Sequence, residues 1–206
     1  MKKTRRCCMF VFDGFADWET SHAIAGLSRF TNFRVDLFSS TGRPVRSMGN
    51  TKVTPDLALS DIPADHIDLL LLPGGGAWEE GANREVIPLV RDTIRAGKVV
   101  AAISGATILL GQEGHLNCVG HTSDNIEYLS RLAPAYCGED WYINKPCVRD
   151  SNLITANGAA GLEFAAEIFR HFGLEKGNES LNSWFRVFQP AVQRHSDLLN
   201  VMTRLR

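Results

Sequence analysis

The strongest constraint on this chain is the recurrence of short runs that are apolar along their whole length. Asp68 is followed by four leucines (69–72), and residues 99–103 read Val-Val-Ala-Ala-Ile. A strand with one wet face alternates polar and apolar residues, whereas a strand without alternation needs cover on both faces. Residues 7–12 and 35–39 are two further strand candidates. Stretches with helical spacing separate these runs: 18–30, then 83–96 stopped by Gly97, then 105–113 followed by Gly114. Such alternation predicts parallel βαβ units, an α/β domain. Ligands of these sheets bind beyond the carboxyl ends of the strands, where residues 73–76 and Ser104-Gly105 fall. Gly49-Asn50 within 43–54 predicts a small hairpin. In the second half, 147–148 and 153–155 read as strands, 158–172 as a helix and 180–206 as mostly helical. No repeat, low-complexity tract or linker interrupts the 206 residues, so a single domain is expected.

A formal net charge of −1 supplies no basic field, which argues against nucleic acid and anionic membranes as partners. The N-terminal apolar run is broken by Asp13-Gly14, too early for a signal peptide, and no stretch reaches the ~20 apolar residues of a membrane span. Five cysteines, none in a C-x-x-C pair, read as reduced cytoplasmic thiols with no metal site and no disulfide framework. Cys7 and Cys8 alternate across a strand, so one of them is expected in the core.

The chemistry-bearing segment is Ala102-Ile103-Ser104-Gly105-Ala106-Thr107. A buried strand enters a helix through a sharp turn that carries one nucleophile-type side chain among small neighbours. That is the layout of a nucleophile elbow, with the amides opening the helix facing a developing oxyanion. The other reading of Ser104 is a plain helix N-cap.

This segment resembles the Ala-Ile-Cys-Gly-Ala-Thr elbow of one branch of the ThiJ/PfpI family, within the class I glutamine amidotransferase-like superfamily. Phe12-Asp13-Gly14-Phe15-Ala16-Asp17-Trp18-Glu19 is similar to that family's first loop, and Leu72-Pro73-Gly74-Gly75-Gly76 to its glycine loop. Gly120-His121-Thr122-Ser123, Thr155-Ala156-Asn157-Gly158 and Glu163-Phe164-Ala165 complete the series, over about residues 6–172, with a helical extension at 175–206. The resemblance implies a three-layer, flavodoxin-like sandwich around a mostly parallel sheet, a homodimer, a small-molecule substrate and no cofactor. It implies Ser104, Glu19 and His121 as catalytic residues, with Gly74, Gly75 and Gly105 holding an oxyanion or substrate. Ser104 stands where the family's cysteine usually sits, and a serine hydroxyl needs an adjacent base that a low-pKa thiol does not.

Two kinds of function follow. One is a hydrolase or amidase acting on a small carbonyl or amide compound, with glyoxalase-like chemistry on reactive aldehydes close by. The other is a non-catalytic ligand-binding or stress-associated protein that lost the cysteine, or an engineered cysteine-to-serine form of a glyoxalase- or deglycase-like enzyme. His121 also reads as an ordinary strand-end histidine, His115 as a helix-end cation, and His22 as a helix-packing residue within reach of Glu19. His66, His171 and His195 carry no motif, Glu79-Glu80 reads as a solvated helix start, and Cys118 is a reserve thiol. The aromatic stretch 184–188 is expected to bury against the domain or a partner.

Overall fold

The four leucines at 69–72 form one strand with every side chain buried, and residues 99–103 form a neighbouring strand that is equally buried. Both faces of the sheet are therefore covered, as unbroken apolar runs require. The computed structural model describes residues 4–62 and 64–188. In chain order its elements are β1 (Arg5–Phe10), α1 (Ser21–Phe30), β2 (Phe33–Ser39), β3 (Val45–Arg46), β4 (Lys52–Val53), β5 (Leu57–Ala58) and β6 (Leu69–Leu72). They continue with α2 (Ile87–Arg95), β7 (Val99–Ile103), α3 (Ala106–Gln112), α4 (Ile126–Leu132), β8 (Cys147–Asp150), β9 (Leu153–Ala156), α5 (Gly161–His171) and α6 (Glu179–Arg186).

Seven strands form one sheet in the order β5-β2-β1-β6-β7-β9-β8, with only the β8–β9 pair antiparallel. The expected hairpin is the β3–β4 pair, turned through Asn50 at φ 62°. The chain leaves β1 toward β2 and β5, then returns to the other side of β1 as β6. The direction of strand order thus reverses between β1 and β6. In open α/β sheets the crevice at that reversal, above the carboxyl ends, is where ligands bind. Ala16 N–H donates to the Gly74 carbonyl at 2.9 Å and ties the loops after β1 and β6 together there.

Helix α1 packs on α5 through Gly26, where an added Cβ would sit 2.4 Å from the Phe169 ring. Helix propensity alone favours Gly26→Ala by about 1 kcal/mol. Overpacking acts against it by about 1–3 kcal/mol in a filled core. We expect net destabilisation by urea unfolding, and a gain in stability would show that Phe169 yields freely.

Some expectations change and others hold. Cys7 and Cys8 are both fully buried, because β1 lies mid-sheet with both faces covered. Burial pushes the Cys8 thiol up to about 11. Cys118 and Cys137 are exposed and Cys147 is half-buried. The first helix starts at Ser21, so Asp17 and Glu19 lie in the preceding turns and not on helix faces. The aromatic stretch packs on the domain: Trp184 lies 5.4 Å from Phe30, Phe185 lies 5.7 Å from Phe169, and Phe188 lies 4.7 Å from His22 (ring centroids). His22 is thus a packing residue. The helical expectation for 187–206 extends past α6, and residues 189–206, including His195, lie outside the described residues. No described helix is long and apolar enough to cross a membrane.

Candidate active site

Ser104 follows β7 with φ 55°, in the left-handed region. A non-glycine residue costs about 1–2 kcal/mol there. The surroundings hold it: its N–H donates to the Ala156 carbonyl at 2.9 Å, and its own carbonyl accepts from Thr107 Oγ1 at 2.7 Å. Its hydroxyl does not cap α3, whose N-cap is Gly105. That hydroxyl donates instead to Asp124 Oδ2 at 2.9 Å. A strained turn that frees a hydroxyl from capping and aims it at a carboxylate is the elbow arrangement.

Asp124 lies two residues before α4, next to Asn125, whose side chain caps that helix by accepting from Tyr128 N–H at 2.7 Å. The segment leading to it is pinned to the elbow and to β9. Thr107 Oγ1 and Ser123 Oγ are 2.7 Å apart, and Thr122 N–H donates to Thr155 Oγ1 at 2.9 Å. The second carboxylate oxygen, Oδ1, accepts from Gly158 N–H at 2.7 Å. Asp124 itself is exposed and Ser104 half-buried.

Glu19 comes from the loop after β1 and is 2% exposed. Its Oε2 accepts from Gly74 N–H at 2.6 Å. Burial, with the nearby Asp124 charge, outweighs the hydrogen bond from Gly74 N–H and the closeness of Ser104, and raises its carboxyl from 4.5 to about 8. At neutral pH Glu19 is therefore mostly a protonated acid, a donor rather than a base.

Glycine is required where these side chains crowd. A Cβ on Gly74 would lie 2.8 Å from Ser104 Cβ and 2.7 Å from Glu19 Oε2, and one on Gly158 would lie 2.9 Å from Ser104 Oγ. The glycine loop is itself held by Trp78, whose indole N–H donates to the Pro73 carbonyl at 2.8 Å. The Gly74 amide is engaged by Glu19. The amides of Gly75 and Gly105 have no acceptor among the described residues.

The resemblance implies a catalytic role for His121, and the structure gives it partners outside the Ser104–Asp124–Glu19 group. It is fully buried, with Nδ1 2.8 Å from the Val119 carbonyl and Nε2 2.8 Å from the Tyr136 hydroxyl. A carbonyl only accepts, so Nδ1 carries the proton and Nε2 accepts from Tyr136. Burial lowers its pKa and favours that neutral form. Its backbone bridges Trp141 and Ile143, which makes it a fastener for the segment carrying Asp124. The pattern reading missed Asp124 altogether. Its signal was Asp-Asn ahead of an apolar helix start, one residue beyond the Gly120–Ser123 segment. Glu79 accepts from the Tyr128 hydroxyl at 2.8 Å and is not merely solvated. Asp17 accepts from Ser47 Oγ at 2.5 Å, away from Glu19's partners.

Among the described residues no group of three or more His, Cys, Asp or Glu side chains is placed to hold a metal ion.

The model of the DJ-1/PfpI family matches residues 5–171, most of the chain and all of the site. The chain belongs to the DJ-1/PfpI family. It is 33% identical to the uncharacterized protease YoaZ of Bacillus subtilis, over 98% of this chain and 100% of that protein. It is 27% identical to the glutathione-independent glyoxalase DJR-1.2 of Caenorhabditis elegans, over 69% of this chain and 75% of that one. Among solved structures, the DJ-1 superfamily protein Atu0886 of Agrobacterium tumefaciens superposes with a TM-score of 0.84 at 32% identity, covering 91% of this chain and 98% of the other. The α/β sandwich of DJ-1/PfpI proteins is therefore the fold of this chain, as the order of apolar strands and helices predicted.

Proposed function

We propose that this DJ-1/PfpI protein is a hydrolase of small carbonyl or amide compounds, with Ser104 as nucleophile. The observation that carries the reading is the left-handed backbone at Ser104, which exposes a hydroxyl above the sheet next to a carboxylate. Strain of this kind persists where the surroundings over-determine it, and it clusters at reacting residues. The free amides of Gly75 and Gly105 suit a developing oxyanion. Protonated Glu19 donates toward the site, and Gly74 holds Glu19 in place. His121 supports the segment and does not take part in proton transfer. A related protein bears the name of a protease and another that of a glyoxalase, and both chemistries begin with attack on a carbonyl. A homodimer in the cytoplasm belongs to the same reading.

The test is turnover of methylglyoxal and of a panel of small amides by the wild-type chain, Ser104→Ala and Ser104→Cys. Losing a nucleophile costs at least about 1,000-fold in kcat. Wild-type turnover that vanishes in Ser104→Ala upholds the reading. Activity in Ser104→Cys alone would replace it with a ligand-binding protein whose pocket is chemically silent.

A further inference from the structure

We infer that Asp124 is the general base that takes the proton of Ser104, an inference that rests on Ser104 being the nucleophile. Three residues are candidates for that role, and their partners and protonation separate them. The acceptor nitrogen of His121 is occupied by the Tyr136 hydroxyl. Glu19 holds its proton at neutral pH, which makes it a poor acceptor for the serine proton. Asp124 alone accepts from the Ser104 hydroxyl, at 2.9 Å, within the range for general-base transfer. Its other oxygen is fixed by Gly158 N–H, so the carboxylate is oriented by a third group as an activating base must be. An aspartate that accepts a hydroxyl proton is the device protein kinases use on their substrates.

The step balances without a co-reactant. Ser104 Oγ bonds to the carbonyl carbon as its O–H bond breaks, and the proton passes to Asp124 Oδ2. The carbonyl π pair moves to oxygen, which the Gly75 and Gly105 amides receive. On collapse the C–N bond breaks, and the amine departs with the proton from Asp124. Water then gives a proton to Asp124 and attacks the ester carbon. Ser104 leaves with that proton, restoring the starting state.

Labelling by a small alkyl fluorophosphonate, followed by intact mass and peptide mapping, tests this without knowledge of the substrate. Ser104 in the wild-type chain should acquire the label, and Asp124→Asn should label about 100-fold more slowly, the usual contribution of a base. Asparagine keeps an oxygen for Gly158 N–H, so the loop is preserved; matched urea unfolding of the two proteins confirms it. Equal labelling rates overturn the base and leave the nucleophile standing. Absence of label on Ser104 in the wild-type chain overturns the nucleophile and the base with it. A second measurement uses Ser104→Cys, whose thiol pKa is read from the pH dependence of alkylation. A carboxylate in contact disfavours the thiolate, so adding Asp124→Asn should lower that pKa by about one or more. An unchanged thiol pKa overturns the contact on which the inference depends.

Discussion

Raising the pH from about 5 to about 9 is expected to cost the wild-type protein several kcal/mol of folding stability, with about 5 as a ceiling, and to spare Glu19→Gln that loss. The carboxyl of Glu19 rises from 4.5 to about 8 on folding, first because burial penalises its charge and then because of the Asp124 charge. The folded state therefore holds this proton more tightly than the unfolded chain. The associated stability is fully present below about pH 4.5 and drains away until the folded carboxyl has titrated. His22, His115, His121 and His171 contribute with the opposite sign. Burial lowers their pKa values, so folding gains as the unfolded chain loses its imidazole protons. The comparison with Glu19→Gln removes those shared contributions. Glutamine keeps an oxygen for Gly74 N–H and an N–H for Ser104, so its packing is matched. Urea unfolding across that pH range reads the difference. Parallel curves for the two proteins would mean that Glu19 is ionised in the fold and that its assignment as a proton donor is wrong.

Gly158→Ala should reduce fluorophosphonate labelling of Ser104 by at least about 100-fold, since a displacement near 1 Å at a reacting group has that effect. The added methyl would stand 2.9 Å from Ser104 Oγ, closer than real Cβ atoms approach, and a tight 3.0 Å from Glu19 Oε1. Ser104 cannot yield by changing its backbone, already fixed at φ 55° and anchored to Ala156. Asp124 is held by the Gly158 amide and would shift along with it. A stability cost of about 1–3 kcal/mol should accompany the loss, as overpacking in a filled site entails. Undiminished labelling would mean that the serine has another rotamer open to it. The placement of Ser104 between Glu19 and Asp124 would then not be required for reaction.

Much of this architecture is legible in the sequence, because it rests on patterns that sequence expresses directly. Leu69–Leu72 and Val99–Ile103 lack alternation, and a covered parallel sheet is the physical response. The hairpin at Asn50 and the helix stops at Gly97 and Gly114 follow from backbone preferences of single residues. Ser104 and Glu19 came from motif order, since 85 positions separate them and no periodicity links them. What escaped was the assignment of hydrogen bonds among groups of the right type. The resemblance groups Gly74 with the oxyanion amides, yet its N–H is taken by Glu19. The resemblance pairs His121 with the site, yet its nitrogens are engaged by the Val119 carbonyl and the Tyr136 hydroxyl beyond α4. Asp124 resembles any helix-preceding aspartate until Thr107, Ser123, Thr122 and Thr155 pin it against the elbow. Such choices depend on distances of a few tenths of an ångström between loops far apart in the chain.

The distribution of thiols sets how this molecule meets an oxidant. The two cysteines of the central strand are sealed in the core with their thiolate forms suppressed, while Cys118 and Cys137 stand in solvent. Ser104 has no sulfur to climb the ladder from sulfenic to sulfonic acid. Peroxide would therefore mark this protein on its outer turns and leave the elbow chemically intact. On the proposed function, a serine elbow keeps working through an oxidative episode rather than reporting one.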